Sequence, residues 1–199
     1  MLEVKDNELL FAKVRPEAII PTKEKENAGY DIYACFDEDY MIIPPHSTKL
    51  ISTGIASCVS DNYYLQVHER GSTGSKGMKY SAGVIDSSYR GEIFIALTNT
   101  NDVDIIISKH SREELIEFYS DDDRRKNGTY LLDDDRKVYL EDYSESNNKT
   151  CIIYPYTKAI AQLIIHRVHN ELEAKEIPYD ELKEIPSKRG TGSLGSSGK

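Results

Sequence analysis

Tryptophan is absent from this chain of 199 residues, and cysteine is scarce, with Cys35, Cys58 and Cys151 the whole complement. An odd count without a Cys-x-x-Cys spacing argues against a zinc ribbon or a disulfide framework and reads as reduced, buried thiols. The histidines have no metal-ligand spacing either. His166 and His169 are too few for zinc, so with His46, His68 and His110 they read as surface or strand residues. Long apolar runs are also missing. Nothing approaches the about 18–20 residues of a membrane span, and Met1-Leu2-Glu3-Val4-Lys5-Asp6 has no apolar signal core, which predicts a soluble, cytoplasmic protein with no membrane partner. There is no basic block, and the formal net charge is −9. That argues against DNA or RNA as a partner, since phosphate neutralisation needs clustered Lys or Arg. An anionic ligand must therefore be gripped locally, helped by a divalent cation that offsets the repulsion of an acidic protein. A Walker-type phosphate loop is excluded, because Gly-x-x-x-x-Gly-Lys-Ser/Thr does not occur between a strand and a helix.

What the chain does have is short β-branched and aromatic runs, several with period-two alternation, at 9–14, 40–43, 49–56, 63–68, 93–97, 103–107 and 160–165. Pro44-Pro45, Ser60-Asp61-Asn62 and the glycine-rich 71–77 punctuate them. Many short strands with few helical patterns predict one all-β domain, a sandwich or jelly roll, with enough chain to bury a core.

Five segments carry the chemistry. They are Ala28-Gly29-Tyr30-Asp31-Ile32-Tyr33-Ala34; Arg70-Gly71-Ser72 running to Lys76-Gly77; Gly83-Val84-Ile85-Asp86-Ser87-Ser88-Tyr89-Arg90-Gly91-Glu92; Ala159-Ile160-Ala161-Gln162-Leu163; and Arg189-Gly190-Thr191-Gly192-Ser193-Leu194-Gly195-Ser196-Ser197-Gly198. A glycine-rich string alone recurs by chance. Five in this order resemble the trimeric dUTPase family, which hydrolyses dUTP to dUMP and pyrophosphate. The resemblance implies a distorted jelly roll of the β-clip type, a homotrimer with sites at subunit boundaries, and Mg²⁺ as cofactor.

By itself Asp86 reads as a turn initiator before Ser87-Ser88; with the other segments it resembles the family's catalytic base. Its main contribution would be to hold the attacking water, since a carboxylate with an ordinary pKa near ~3.9 is a weak base. Tyr89 resembles the tyrosine that lies under the deoxyribose and leaves no room for a 2′-hydroxyl. Without its place in the motif it would be one tyrosine among 14. The family reads uracil with backbone groups of what is expected to be a tight hairpin, which maps to Ala82, Gly83 and the main chain near Phe94; a wrong base there leaves buried polar groups unpaired. Arg70, Gly71, Ser72 and Gln162 map onto contacts to the α- and β-phosphates, and Arg189, Gly195, Ser196 and Ser197 onto contacts to the γ-phosphate, through bidentate guanidinium donation and backbone N–H groups. Asp31 is either a water-mediated partner of the Mg²⁺ or a structural acceptor around Ala28-Gly29.

Two departures stand out. Gly71 occupies the usual serine place after the arginine, moving the first hydroxyl to Ser72. Leu194 takes the place of the aromatic that stacks on uracil, a contact worth about 1–3 kcal/mol in base–aromatic pairs. Either the lid is weaker, or Phe94 or a tyrosine covers the base. The Gly/Ser-rich arm, about 187–199, is expected to be mobile when empty and ordered by the triphosphate.

Between the third and fourth segments lies an expected insertion, about 108–150, similar to that of some phage-encoded relatives and too long for a structureless loop. Ser111 with Glu114 forms a capping-box pattern before Leu115, and Asn127-Gly128 is a hairpin-turn signal before Tyr130, so a helix and then a hairpin are predicted. The acidic clusters 121–123 and 133–135 read as solvated loop charge, with a protein-docking face as the alternative. Two other readings remain. A nucleotide-gated regulatory protein would bind a protein partner through the insertion. A dCTP deaminase would need a catalytic Glu at the position of Ala96, and none is there.

Overall fold

The computed structural model describes residues 4–119, 130–133, 136–139, 151–188 and 190–191. These divide after Val168 into two compact units. The first begins with β1 (Leu9–Lys13), β2 (Gly29–Ile32), β3 (Tyr40–Ile43), β4 (Thr48–Ser52), β5 (Ile55–Val59) and β6 (Tyr63–His68). A single helical turn, α1 (Gly71–Gly74), precedes β7 (Met78–Tyr80), β8 (Val84–Ile85), β9 (Phe94–Asn99) and β10 (Asp104–Ser108). Then come α2 (Arg112–Tyr119), the paired β11 (Tyr130–Asp133) and β12 (Arg136–Tyr139), β13 (Cys151–Pro155) and β14 (Ala161–Arg167). The second unit carries α3 (Tyr179–Glu184), with no side chain of that helix buried. Among the described residues no helix is long and apolar enough to cross a membrane.

The strands form small sheets, as an all-β chain of short runs must. Their orders are β1-β5, β13-β10-β3, β11-β12, β2-β14-β6-β8 and β4-β9-β7. Inward-facing side chains from several of them, Ile32, Ile43, Ile51, Leu65, Ile95, Ile105 and Leu163 among them, make one core. The run expected at 49–56 is two strands. Gly54 adopts φ +64 between β4 and β5, where a Cβ would lie 2.8 Å from that of Ala18, so the chain turns there and β5 leaves to pair with β1. The glycine-rich 71–77 is not wholly loop, since α1 forms within it.

Strand β10 pairs antiparallel with β3 but parallel with β13. Parallel strands cannot be joined by a tight turn, so a crossover between Ser108 and Cys151 is a requirement of the topology. Its first part is α2, opened by a reciprocal capping box in which the Ser111 N–H donates to Glu114 Oε2 at 2.7 Å and the Glu114 N–H to Ser111 Oγ at 3.1 Å. Leu115 on this helix is fully buried with Ile42, Ile106 and Cys151. Strand β10 is thus covered on both faces, Ile105 and Ile107 on the main core and Ile106 under α2, which accounts for its unbroken apolar run. In the hairpin, Asp133 pairs with Arg136, so residues 134–135 make the turn. Asn127-Gly128 precedes the hairpin and lies outside the described residues.

Candidate active site

Arg70 organises one half of the site. It is the residue from which α1 starts, and Thr73, fully buried, locks it there: Thr73 Oγ1 accepts the Arg70 N–H at 3.0 Å and donates to the Arg70 carbonyl at 3.0 Å. The guanidinium forks onto Asp31, Nε to Oδ1 at 2.8 Å and Nη2 to Oδ2 at 3.1 Å. Nη1 points to the Ala159 carbonyl at 3.2 Å and the Ser72 hydroxyl at 3.5 Å. Strand β14 lies between β2 and β6, with Gln162 opposite both Asp31 and His68. Gln162 Nε2 donates to the Glu69 carbonyl at 2.8 Å. It fits because residue 29 is glycine; a Cβ there would stand 2.6 Å from Gln162 Oε1 and 2.9 Å from its Cβ. Two adjoining concavities of about 430 Å³ each share Asp31, Arg70 and Ser72, and one of them also takes in Gly71 and Gln162.

Both Asp31 oxygens are engaged by Arg70, so Asp31 is not free to ligate a cation directly. Among the described residues no group of three His, Cys, Asp or Glu is arranged to hold a metal ion. These residues suit a cation carried by phosphate oxygens and water, touched by Asp31 through water, and not a protein cage.

The other half is the segment 81–93. It is not a tight hairpin: its stem is β7 with β9, Met78 opposite Asn99 and Tyr80 opposite Leu97, and within its tip β8 leaves to pair with β6. The tip is wide because Gly83 runs close along β6, its carbonyl accepting the Val67 N–H at 2.8 Å. A turn closed by Tyr89 N–H to the Asp86 carbonyl at 3.0 Å presents both side chains outward. Arg90 Nη1 bridges the Ser87 and Tyr89 carbonyls across it. Ala82 is exposed, as are half of Phe94 and half of Tyr89.

The structure therefore gathers Asp31, Arg70, Gly71, Ser72 and Gln162 in one place, and Gly83, Asp86, Tyr89 and Phe94 around another. Val84 opposes Gln66, which extends to Asp86 beside Tyr64. From there to Arg70 is roughly 20 Å along the strand, at about 3.4 Å per residue. One chain does not join the two groups. Arg189, Leu194, Gly195, Ser196 and Ser197 lie outside the described residues.

The dUTPase family profile matches residues 15–112, from before the Asp31 strand to beyond the Asp86 turn. The deoxyuridine 5′-triphosphate nucleotidohydrolase of Leptospira interrogans is 33% identical over 108 residues, 52% of this chain and 74% of that protein. The chain belongs to the dUTPase family. Its Candida albicans counterpart, 28% identical over 186 residues, covers 92% of this chain and 84% of that one. In fold it is similar to the dUTPase of Staphylococcus bacteriophage 80alpha solved with dUpNHpp, at a TM-score of 0.63 and 24% identity, covering 96% of this chain and 98% of that one.

This dUTPase has supporting residues that sequence reasoning missed. Tyr80 and Tyr154 donate their hydroxyls to the Ile160 and Ala159 carbonyls, the latter at 2.7 Å, and with Arg70 they fix the strand entry from which Gln162 projects. Burial pushes the Tyr80 phenol up to about 12 and raises that of Tyr154, so both remain donors at neutral pH. Lys76 and Lys158 line the concavity on the Tyr154 side and add positive charge next to Ser72. Nothing in their local sequence marks them; only the register of β14 brings them to Arg70. The three cysteines are free thiols, two of them buried.

Proposed function

We propose that this chain hydrolyses dUTP to dUMP and pyrophosphate, with Asp86 as base and with each site assembled between copies of a homotrimer. The observation that carries the reading is the separation of a phosphate grip at Arg70, Ser72 and Gln162 from a carboxylate and ring at Asp86 and Tyr89. Neither group alone can do the chemistry. A second copy that brings its 81–93 tip to this chain's Arg70 completes both.

In the reaction Asp86 holds a water in line with the α-phosphorus and takes its proton as the new P–O bond forms. The bond from the α-phosphorus to the bridging oxygen breaks, and pyrophosphate leaves with the electron pair. Arg70, fixed by Asp31, together with Ser72 and Gln162, orients the α- and β-phosphates by charge-assisted hydrogen bonds. Mg²⁺ carried on the triphosphate supplies positive charge to the leaving group, with Asp31 its water-mediated partner. Tyr89 excludes a 2′-hydroxyl, and Ala82, Gly83 and the Phe94 main chain read uracil. The arm, about 187–199, closes the site with Arg189, Leu194, Gly195, Ser196 and Ser197.

We read the chain as a single domain with an insertion at about 108–150. Because α2 is committed to covering β10, any protein partner of the insertion meets the part beyond it. Work in the cytoplasm, or in that of a host if the gene is phage-borne, fits this substrate. The test is pyrophosphate release with Mg²⁺ from dUTP, dCTP, dTTP and UTP in parallel, and again with the metal chelated. Release confined to dUTP and lost on chelation is expected. Release from dCTP or dTTP at a similar rate, or from none of the four, overturns the reading.

A further inference from the structure

The Tyr89 ring rests on the backbone of Gly91: a Cβ at Gly91 would stand 2.6 Å from Tyr89 Cζ and 3.0 Å from Cε2. Its hydroxyl donates to the carbonyl of Glu92 at 2.9 Å. The ring's position is therefore only as fixed as residue 92.

Residue 92 is clamped from outside the turn. Glu92 Oε1 accepts both the Ser52 hydroxyl and, at 2.8 Å, the Gly54 N–H. The next residue is fastened to the same corner, the Ile93 N–H to the Ile55 carbonyl at 2.7 Å and the Ile93 carbonyl from Thr53 Oγ1 at 2.6 Å. Thr53 and Ile93 are buried, whereas Glu92 and Ser52 are only partly so. Ile93 would hold the strand against the core without help from Glu92. The carboxylate therefore adds something narrower: it fixes the peptide that carries the Tyr89 acceptor.

We propose that Glu92 is a positioning residue for sugar selection. Through Ser52 and Gly54 it anchors the carbonyl that tethers Tyr89, and so stiffens the wall that rejects a ribonucleotide. Exclusion by shape works only if the wall cannot retreat, because a ring free to move by an ångström admits a hydroxyl group. Two charge-assisted hydrogen bonds to one oxygen suit that task better than a neutral contact. The inference rests on the reading of Tyr89 as the sugar filter.

The experiment measures kcat/KM for dUTP and for UTP in the wild type, Glu92→Ala, Glu92→Gln, Ser52→Ala, Tyr89→Phe and the double variant Tyr89→Phe/Glu92→Ala, with thermal melts alongside. Glu92→Ala should lower the dUTP:UTP ratio about tenfold, the worth of roughly one lost hydrogen bond. Glu92→Gln, which keeps the acceptor oxygen, should recover most of it, and Ser52→Ala should fall between. The double variant should be no less selective than Tyr89→Phe alone, since both changes act through one tether. A ratio unchanged in Glu92→Ala and in Ser52→Ala, whatever their melts, overturns the proposal, as does full additivity in the double variant. A wild type that hydrolyses UTP as well as dUTP would instead overturn the sugar-filter reading itself. If Glu92→Ala fails to fold, Ser52→Ala and Glu92→Gln still decide the outcome.

Discussion

Replacing Leu115 with alanine tests whether α2 belongs to the fold or is appended to it. Leu115 is fully buried and packs with Ile42, Ile106 and Cys151, on the face of β10 turned away from the main core. The change deletes three carbons from that cluster, about 2.4 kcal/mol at ~0.8 kcal/mol per methylene. A cavity adds to this, although a covering helix with solvent on its far side can settle inward and recover part of the loss. We expect about 3 kcal/mol of destabilisation. Urea unfolding followed by circular dichroism, at one fixed protein concentration because an oligomer's stability depends on it, should move the midpoint down by roughly 1–2 M for a slope near ~2 kcal/mol per M. Leu115→Met, close in volume, should cost less than about 1.5 kcal/mol. The turnover of the folded enzyme should be little changed, since Leu115 touches neither half of the site. A loss below about 1 kcal/mol in the alanine variant would refute the view that α2 seals the second face of β10.

Asp86→Asn should cut kcat by about 10² to 10⁴ while dUTP still binds, as seen by calorimetry, and a comparable loss of binding would remove Asp86 from the role of base. Co-refolding that variant with inactive Arg70→Ala should restore part of the activity, because some sites would then combine two intact halves; no recovery would argue against sites shared between copies. Gly29→Ala places a methyl against Gln162 and should raise the KM for dUTP about tenfold with a smaller effect on kcat, and unchanged steady-state kinetics would show that Gln162 is free to shift. Tyr80 titrates about 12 when folded against an ordinary value near ~10. Its stabilisation is complete below pH ~10 and is lost as pH rises through about 12, up to about 2.7 kcal/mol. Tyr80→Phe should flatten that part of the stability profile, and an identical slope in the variant would assign the alkaline loss elsewhere.

How much of this could be read from the chain itself varies from element to element. Strands at 40–43 and 63–68 were legible because β-branched and aromatic residues alternate there, and the α2 start because Ser111 and Glu114 are local partners. The break at Gly54 was not. Its cause is a collision with Ala18 and Cys35, residues distant in sequence. The hairpin at 81–93 looked tight from its glycines, yet β6 holds Gly83 and widens it.

The sequence by itself determined the chemical groups: a carboxylate, a ring and the glycine beneath it within one turn at 86–91, and the arginine, serine and glutamine of a phosphate grip. Those groups are fixed by residue type and by neighbours along the chain. Only the tertiary structure decided that Gln162 faces Asp31, that both Asp31 oxygens are spent on Arg70, that Glu92 reaches Ser52 and Gly54, and that the two halves of the site stand apart in one chain. Each of those depends on strand register, which is set by how inward side chains fill a shared core and not by any local pattern.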